Sequence, residues 1–239
     1  MENPGQTQGR APLDLQGVRY ILRELLQVAV HFTVLLVFAG EWLWLNAWLV
    51  LGLAIVFQVI QAVVLQRYNP GLINRRGRVI QKETKTFDKF FVAAYVPLSL
   101  AVSAICGVDA GRHGWSGAGA VVVSSGVLLY ALAWFFGLWA MAVNRNFEAT
   151  VVIGDSGSHR VCDRGPYRFV RHPGYFAAML GAIGYALVLG SWWGLAASLI
   201  LILLFVYRTA REDRALLQEL EGYRPYASDT RYRLVPRVW

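Results

Sequence analysis

Polar and apolar positions along this 239-residue chain are sorted into blocks. Charge-free runs extend over residues 25–40, 42–66, 90–108, 114–144 and 173–207, with clusters of charge between them. A helix needs roughly 20 apolar residues to cross about 30 Å of hydrocarbon, and most of these runs reach that length. The last run, about 35 residues, would extend about 52 Å as one helix at 1.5 Å per residue, too long for one crossing. The sequence Gly190-Ser191-Trp192-Trp193-Gly194 in its middle reads as a turn, which makes the run a helical hairpin over 173–208. The pattern therefore predicts an all-α, polytopic membrane protein. Four transmembrane helices occupy 19–144 behind a polar tail at 1–18, and 145–239 combines a polar loop, the hairpin and an amphipathic tail. Residues 209–221 read as a helical extension of the second hairpin arm, stopped by Gly222 and followed by a turn at Tyr223-Arg224-Pro225-Tyr226.

Charge adds sidedness. Only 16% of residues are charged, against about a quarter in soluble domains, and the net formal charge is +8. The excess lies in two connections. The 67–89 loop carries Arg67, Arg75, Arg76, Arg78, Lys82, Lys85 and Lys89 against Glu83 and Asp88, and the 145–172 loop carries Arg145, Arg160, Arg164, Arg168 and Arg171. The connections near Glu41 and around Asp109 are nearly neutral. This alternation follows the positive-inside pattern and places both basic loops and both termini in the cytoplasm. It also accounts for the basic residues without nucleic acid, which is not expected as a partner. Residues 1–17 are polar and turn-rich, with none of the marks of a cleaved leader. Cys106 and Cys162 are expected on opposite membrane faces, so neither a disulfide nor a metal site is expected. His31, Asn46 and Gln58 are isolated polar residues within spans. Such residues often bond between helices, and a substrate role stays open for each.

The densest polar cluster runs from His159 to Tyr175. Pro173 suits the first turn of a helix, where a missing N–H costs nothing, and holds His172 extended just outside it. The helix start presents unpaired N–H groups and a positive dipole end to an anion. Gly165-Pro166 makes a tight turn that can bring Tyr167 back towards the same place. Beyond the hairpin, Arg208 and Glu212 are four apart and share a helix face. Closing the hairpin would carry Glu212 to His172. Cationic and anionic partners and aromatic walls would then meet at the membrane surface, a setting suited to a zwitterionic cofactor and a lipophilic substrate. No phosphate-binding glycine loop and no Ser/His/Asp set accompanies them.

Taken together, His159-Arg160-Val161, Gly165-Pro166-Tyr167, Arg171-His172-Pro173-Gly174-Tyr175, Arg208, Glu212-Asp213, and Tyr223 and Tyr226 before Val235-Pro236 resemble the isoprenylcysteine carboxyl methyltransferase family of small membrane enzymes. The resemblance spans roughly 144–239. It implies S-adenosylmethionine as cofactor, with S-adenosylhomocysteine as product. It implies a cofactor pocket at His159, Arg160, Val161, Tyr167, His172, Pro173, Gly174, Tyr175 and Glu212, with Arg208 facing the methyl acceptor. His172, Arg208 and Glu212 are the expected catalytic set, without metal. The chain carries Ala210-Arg211-Glu212-Asp213 where carboxyl-methylating members often have a run of acids, and Ile153 near a position that is polar in some members. Both departures bear on the acceptor. It is expected to be lipophilic or membrane-borne: an isoprenylcysteine-type carboxylate, a phospholipid amine or a small thiol. The competing readings are a sterol-type reductase using NADPH, disfavoured by the larger helix number of those enzymes, and a non-enzymatic membrane protein. Oligomeric state is not legible.

Overall fold

A computed structural model describes residues 13–69, 71–77, 85–147 and 161–239. Those residues are helical, without strands: α1 (Leu15–Ala39), α2 (Leu45–Tyr68), α3 (Leu72–Arg76), α4 (Thr86–Cys106), α5 (Ala120–Val143), α6 (Pro173–Val188), α7 (Trp192–Glu219) and α8 (Tyr223–Asp229). Five segments are long and apolar enough to cross a membrane: α1, α2, α4 with its extension, α5 and α7. At 16 residues α6 spans about 24 Å, short of a full crossing. Leu22, Leu25, Leu26, Val59, Val63, Leu199 and Leu203 stay exposed on the outside of the bundle, as expected of a surface solvated by lipid.

Local chemistry sets the boundaries. The first helix begins at Leu15, inside the stretch read as tail, because the Asp14 carboxylate caps it by accepting from Gly17 N–H at 2.8 Å. α4 begins at Thr86, so Asp88 is a buried helical residue and not part of a solvated loop. Its far end, Gly107–His113, continues as a π-helical turn where a neutral connection was expected. The hairpin turns where the sequence placed it. Gly190 adopts a left-handed conformation (φ 72°), and Ser191 caps α7 by accepting from Gly194 N–H at 2.8 Å. α7 then runs unbroken to Glu219. Gly222 is again left-handed (φ 79°), and the predicted turn at Tyr223 is instead the two-turn helix α8.

The packing centre is the antiparallel pair α5–α6. A Cβ at Gly126 would lie 2.4 Å from Val188 N, and one at Gly184 would lie 2.6 Å from Tyr130 N. The two backbones therefore approach as closely as small residues allow in lipid. At one end of the bundle, α3 docks beneath α1 through Tyr20, Leu72 and Ile73, which cluster with Leu65 and Met141. Asn69 Nδ2 donates to the carbonyls of Met141 and Asn144, so part of the basic loop bridges α2 to the end of α5.

At the other end a single carboxylate organises the turns. Asp109 is buried, and its Oδ2 accepts from Ser116 Oγ at 2.6 Å, Ser191 Oγ at 2.5 Å and Trp193 N–H at 3.3 Å.

Candidate cofactor site

The site lies where α6 begins, α7 leaves the hairpin and the C-terminal segment folds back. The backbone N–H groups of Arg171 and His172 donate to the carbonyls of Tyr232 and Arg233, each at 2.9 Å. Pro173 then starts α6, and a Cβ at Gly174 would fall 2.6 Å from the Phe147 ring, so only glycine lets that ring close over the helix start. This short ladder between residues 171–172 and 232–233 fixes the entry to the hairpin. The C-terminal segment thereby becomes a wall of the site.

The closed hairpin brings His172 and Glu212 together: Nδ1 lies 3.6 Å from Glu212 Oε1, and Nε2 lies 3.4 Å from Asp213 Oδ1. The Tyr175 ring stacks on the imidazole (centroids 5.7 Å apart, planes 10° apart), and its hydroxyl donates to Glu212 Oε2. Burial lowers the affinity of His172 for a proton, but hydrogen bonds and charge from Asp213 and Glu212 outweigh it and leave the pKa above the ordinary histidine value.

Arg208 is also drawn in. Its guanidinium lies 2.9 Å from Asp88 Oδ1 on α4 and 3.8 Å from Glu212 Oε2, stacked over Phe91 at 4.2 Å and near the Tyr175 ring at 5.1 Å. The i,i+4 pair with Glu212 forms as the spacing predicts. Asp88 was not foreseen, because the sequence placed it in a loop. One cation thus faces two carboxylates in low dielectric.

Asp213 is the functional-looking residue that sequence reasoning left without a role. Buried to 1% exposure, it accepts both contacts from Arg171 Nη1 at 3.0 Å, Arg233 Nε at 2.8 Å and the Tyr223 hydroxyl at 2.9 Å. Arg171 spends its remaining donors on the carbonyls of Thr230, Ala227 and Arg231. Burial and the Asp213 carboxylate hold the Tyr223 phenol well above its ordinary pKa, so it remains a donor. The acidic pair was visible in the sequence. Which of its two neighbours turns inward is decided by the roughly 100° step between successive helical residues together with the packing of α8.

Tyr167 and Val161 lie in an adjoining cluster with Ala140, Tyr223 and Tyr226. The Tyr167 hydroxyl accepts from Asn144 Nδ2 at 2.9 Å, and its carbonyl accepts from the Tyr226 hydroxyl at 2.8 Å. Burial raises the pKa of both phenols. The turn at Gly165–Arg168 therefore carries Tyr167 into the aromatic packing beside the site. His159 and Arg160 lie outside the described residues.

Among the site's carboxylates, the side chains of Asp88 and Asp213 are 0% and 1% exposed and are each consumed by arginines, whereas that of Glu212 is 15% exposed. A group with ammonium and hydroxyl donors fits Glu212, and its carboxylate fits the α6 start beside His172. Groups that could hold a zwitterionic cofactor are thus within reach of one another.

Residues 121–220, from α5 to the end of α7, match the sequence model of the phospholipid methyltransferase family. That family belongs to the isoprenylcysteine carboxyl methyltransferase-like integral membrane methyltransferases, whose members depend on S-adenosylmethionine. No curated protein sequence matches the chain at a significant level.

Proposed function

We propose, from the phospholipid methyltransferase pattern carried by its α5–α7 region, that the chain is a membrane methyltransferase that binds S-adenosylmethionine at the His172–Glu212 cluster and methylates a membrane-borne lipid. The observation that carries the reading is the meeting of the α6 start with Glu212, the one partly exposed carboxylate of the cluster. In this reading the helix start holds the cofactor's carboxylate, His172 behind it positions Glu212, and Glu212 takes the cofactor's ammonium or ribose hydroxyls. Tyr175 would hold the Glu212 carboxylate in place. His159 and Arg160, from the same sequence motif, are proposed to complete the pocket. When bound, the cofactor supplies a methyl group already activated on a sulfonium. The protein's work is then largely alignment and exclusion of water. The site is proposed to face the cytoplasm, as the basic loops suggest.

Charge favours an amine over a carboxylate acceptor. Arg208 already faces Asp88 and Glu212, so its charge is offset and gives little attraction to an incoming carboxylate. A phospholipid amine needs no such cation. It must lose a proton to water before its nitrogen can attack, because Glu212 is already engaged by the cofactor. The nitrogen lone pair then forms the new N–CH3 bond as the S–CH3 bond breaks, and S-adenosylhomocysteine leaves.

The reading predicts that His172→Ala and Glu212→Ala each weaken S-adenosylhomocysteine binding by about tenfold to a hundredfold, the loss of one charge-assisted hydrogen bond, while the protein remains folded. Isothermal titration in detergent checks this, and unchanged binding in both variants would remove the site assignment. Incubation with methyl-labelled cofactor and fractionated host lipids identifies the acceptor: label in an amine headgroup supports the proposal, and label in a carboxyl ester or small thiol overturns the choice of acceptor. A thermal-shift comparison with NADPH tests the reductase reading, because a ligand that binds only the folded chain raises its stability.

A further inference from the structure

Away from the Glu212 cluster, a cavity of about 220 Å3 lies within the bundle, walled by α1, α2 and α4 to α7. Much of its lining is apolar, but one side is not. Glu24, Gln27 and His31 follow one another at i, i+3 and i+7, a single face of α1, and Gln58 of α2 and Ser99 of α4 join them. Ionisable and amide side chains at bilayer depth are costly, and those that persist tend to line ligand or ion pathways.

Bonding between helices accounts for only part of this seam. His31 Nδ1 lies 2.8 Å from the Gln27 carbonyl of its own helix, and Nε2 lies 3.2 Å from Ser99 Oγ across the cavity wall. Glu24 is different. Its carboxylate meets Gln58 Nε2 at 3.5 Å and Arg23 at 3.8 Å, both long contacts. A carboxylate can accept about four hydrogen bonds, so Glu24 keeps capacity for a donor arriving in the cavity.

We propose that this cavity binds an amphipathic membrane lipid through a hydrogen-bond-donating polar group, a hydroxyl or an amine, seated against Glu24, Gln58 and His31. The volume admits a small head and its first methylenes, and is below the roughly 300–1,000 Å3 of a pocket that encloses a drug-sized ligand. The remaining chain therefore runs out between helices into the bilayer. Gln27 is exposed at the rim. None of His172, Tyr175, Arg208 and Glu212 lines this cavity. An aromatic layer lies between the two places: Tyr95 stacks on Phe91 at 5.5 Å and meets Phe205 at 5.8 Å, and Phe91 lies under Arg208. This is a second lipid site, and it does not depend on the methyl-transfer reading.

The test uses the full chain in phosphatidylcholine nanodiscs, titrated with hexadecanol, hexadecylamine or hexadecyl methyl ether, which share a chain and differ in donor capacity. Thermal stabilisation is read against probe concentration. The alcohol, the amine or both should bind about tenfold more tightly than the ether, and the pattern between them tells which head the site takes. Glu24→Leu should abolish that preference. Ala54→Leu fills the cavity from a buried position while keeping all of its polar groups and should do the same, which covers the case in which the first variant does not fold. Equal stabilisation by all three probes, or a preference that survives in a folded variant, would overturn the proposal.

Discussion

His172 and Asp213 show how strongly single side chains are committed at the site. Asp213 gathers Arg171, Arg233, Tyr223 and His172, so the hairpin, α8 and the C-terminal segment share one acceptor. His172 sits between two carboxylates, and its raised pKa makes a signed prediction. A group whose proton affinity is higher in the folded than in the unfolded chain stabilises the fold fully below its unfolded pKa, about 6.5 for histidine. That contribution is lost as pH rises through the higher native value. Thermal unfolding followed from acid to mildly alkaline pH should therefore show stability falling above about pH 6.5, with the slope reduced in His172→Gln. An identical slope in the variant would mean that another group titrates there. From the sequence, His172, Glu212 and Arg208 could be chosen because spacing and a proline-marked helix start single them out. Asp88 and Asp213 were given no role, since their partners, Arg208 and Arg171, lie 120 and 42 positions away along the chain.

Among the elements, the two ends of the hairpin are held by different means. The site end depends on arginine–carboxylate pairs and on the ladder to residues 232–233. The opposite end depends on Asp109, which joins the π-helical end of α4 to the start of α7 and to Ser116 before α5. Asp109→Ala would leave Ser116, Ser191 and the Trp193 N–H without their acceptor and should cost about 2–4 kcal/mol, read as a lowered unfolding midpoint in detergent. Asp109→Asn keeps one acceptor oxygen and should lose less. Since this end is remote from Glu212, S-adenosylhomocysteine binding by folded Asp109→Ala should stay near that of the parent chain. The sequence suggested only a neutral connection here, because a carboxylate becomes a hub when three segments converge on it.

For the whole molecule, the basic residues also tie separate segments together. Arg75 Nη2 donates to the Arg145 carbonyl at 2.6 Å, which ties the first basic loop to the second, and Lys85 pairs with Glu219 across the α4 start and the α7 end. These links gather α3, the α4 start and the C-terminal segment at one end of the bundle. With the positive-inside rule, that end is proposed to face the cytoplasm. Single cysteines introduced at Arg67 and Arg237, in a chain whose Cys106 and Cys162 are replaced by serine, test this in oriented vesicles. Both should react with a membrane-impermeant maleimide from the cytoplasmic side, and one introduced at Trp42 from the other. Labelling of Arg67 and Arg237 from opposite sides would rule the topology out.

The sequence by itself determined the all-helical membrane class, the long apolar segments and the hairpin turn at Gly190. Each of these follows from local composition: apolar length against bilayer thickness, and glycine where the chain must turn left-handed. It also placed His172 and Glu212 at matching ends of one hairpin, because a hairpin returns its ends to the same level. The tertiary structure decided what those residues meet. The choice of Asp88 as the partner of Arg208, the inward turn of Asp213, the packing of Tyr167 against α8 and the polar cavity around Glu24 all join separate helices. Such contacts depend on how helices rotate and approach one another, and α5 and α6 approach through Gly126 and Gly184 in a way that no hydrophobic period encodes.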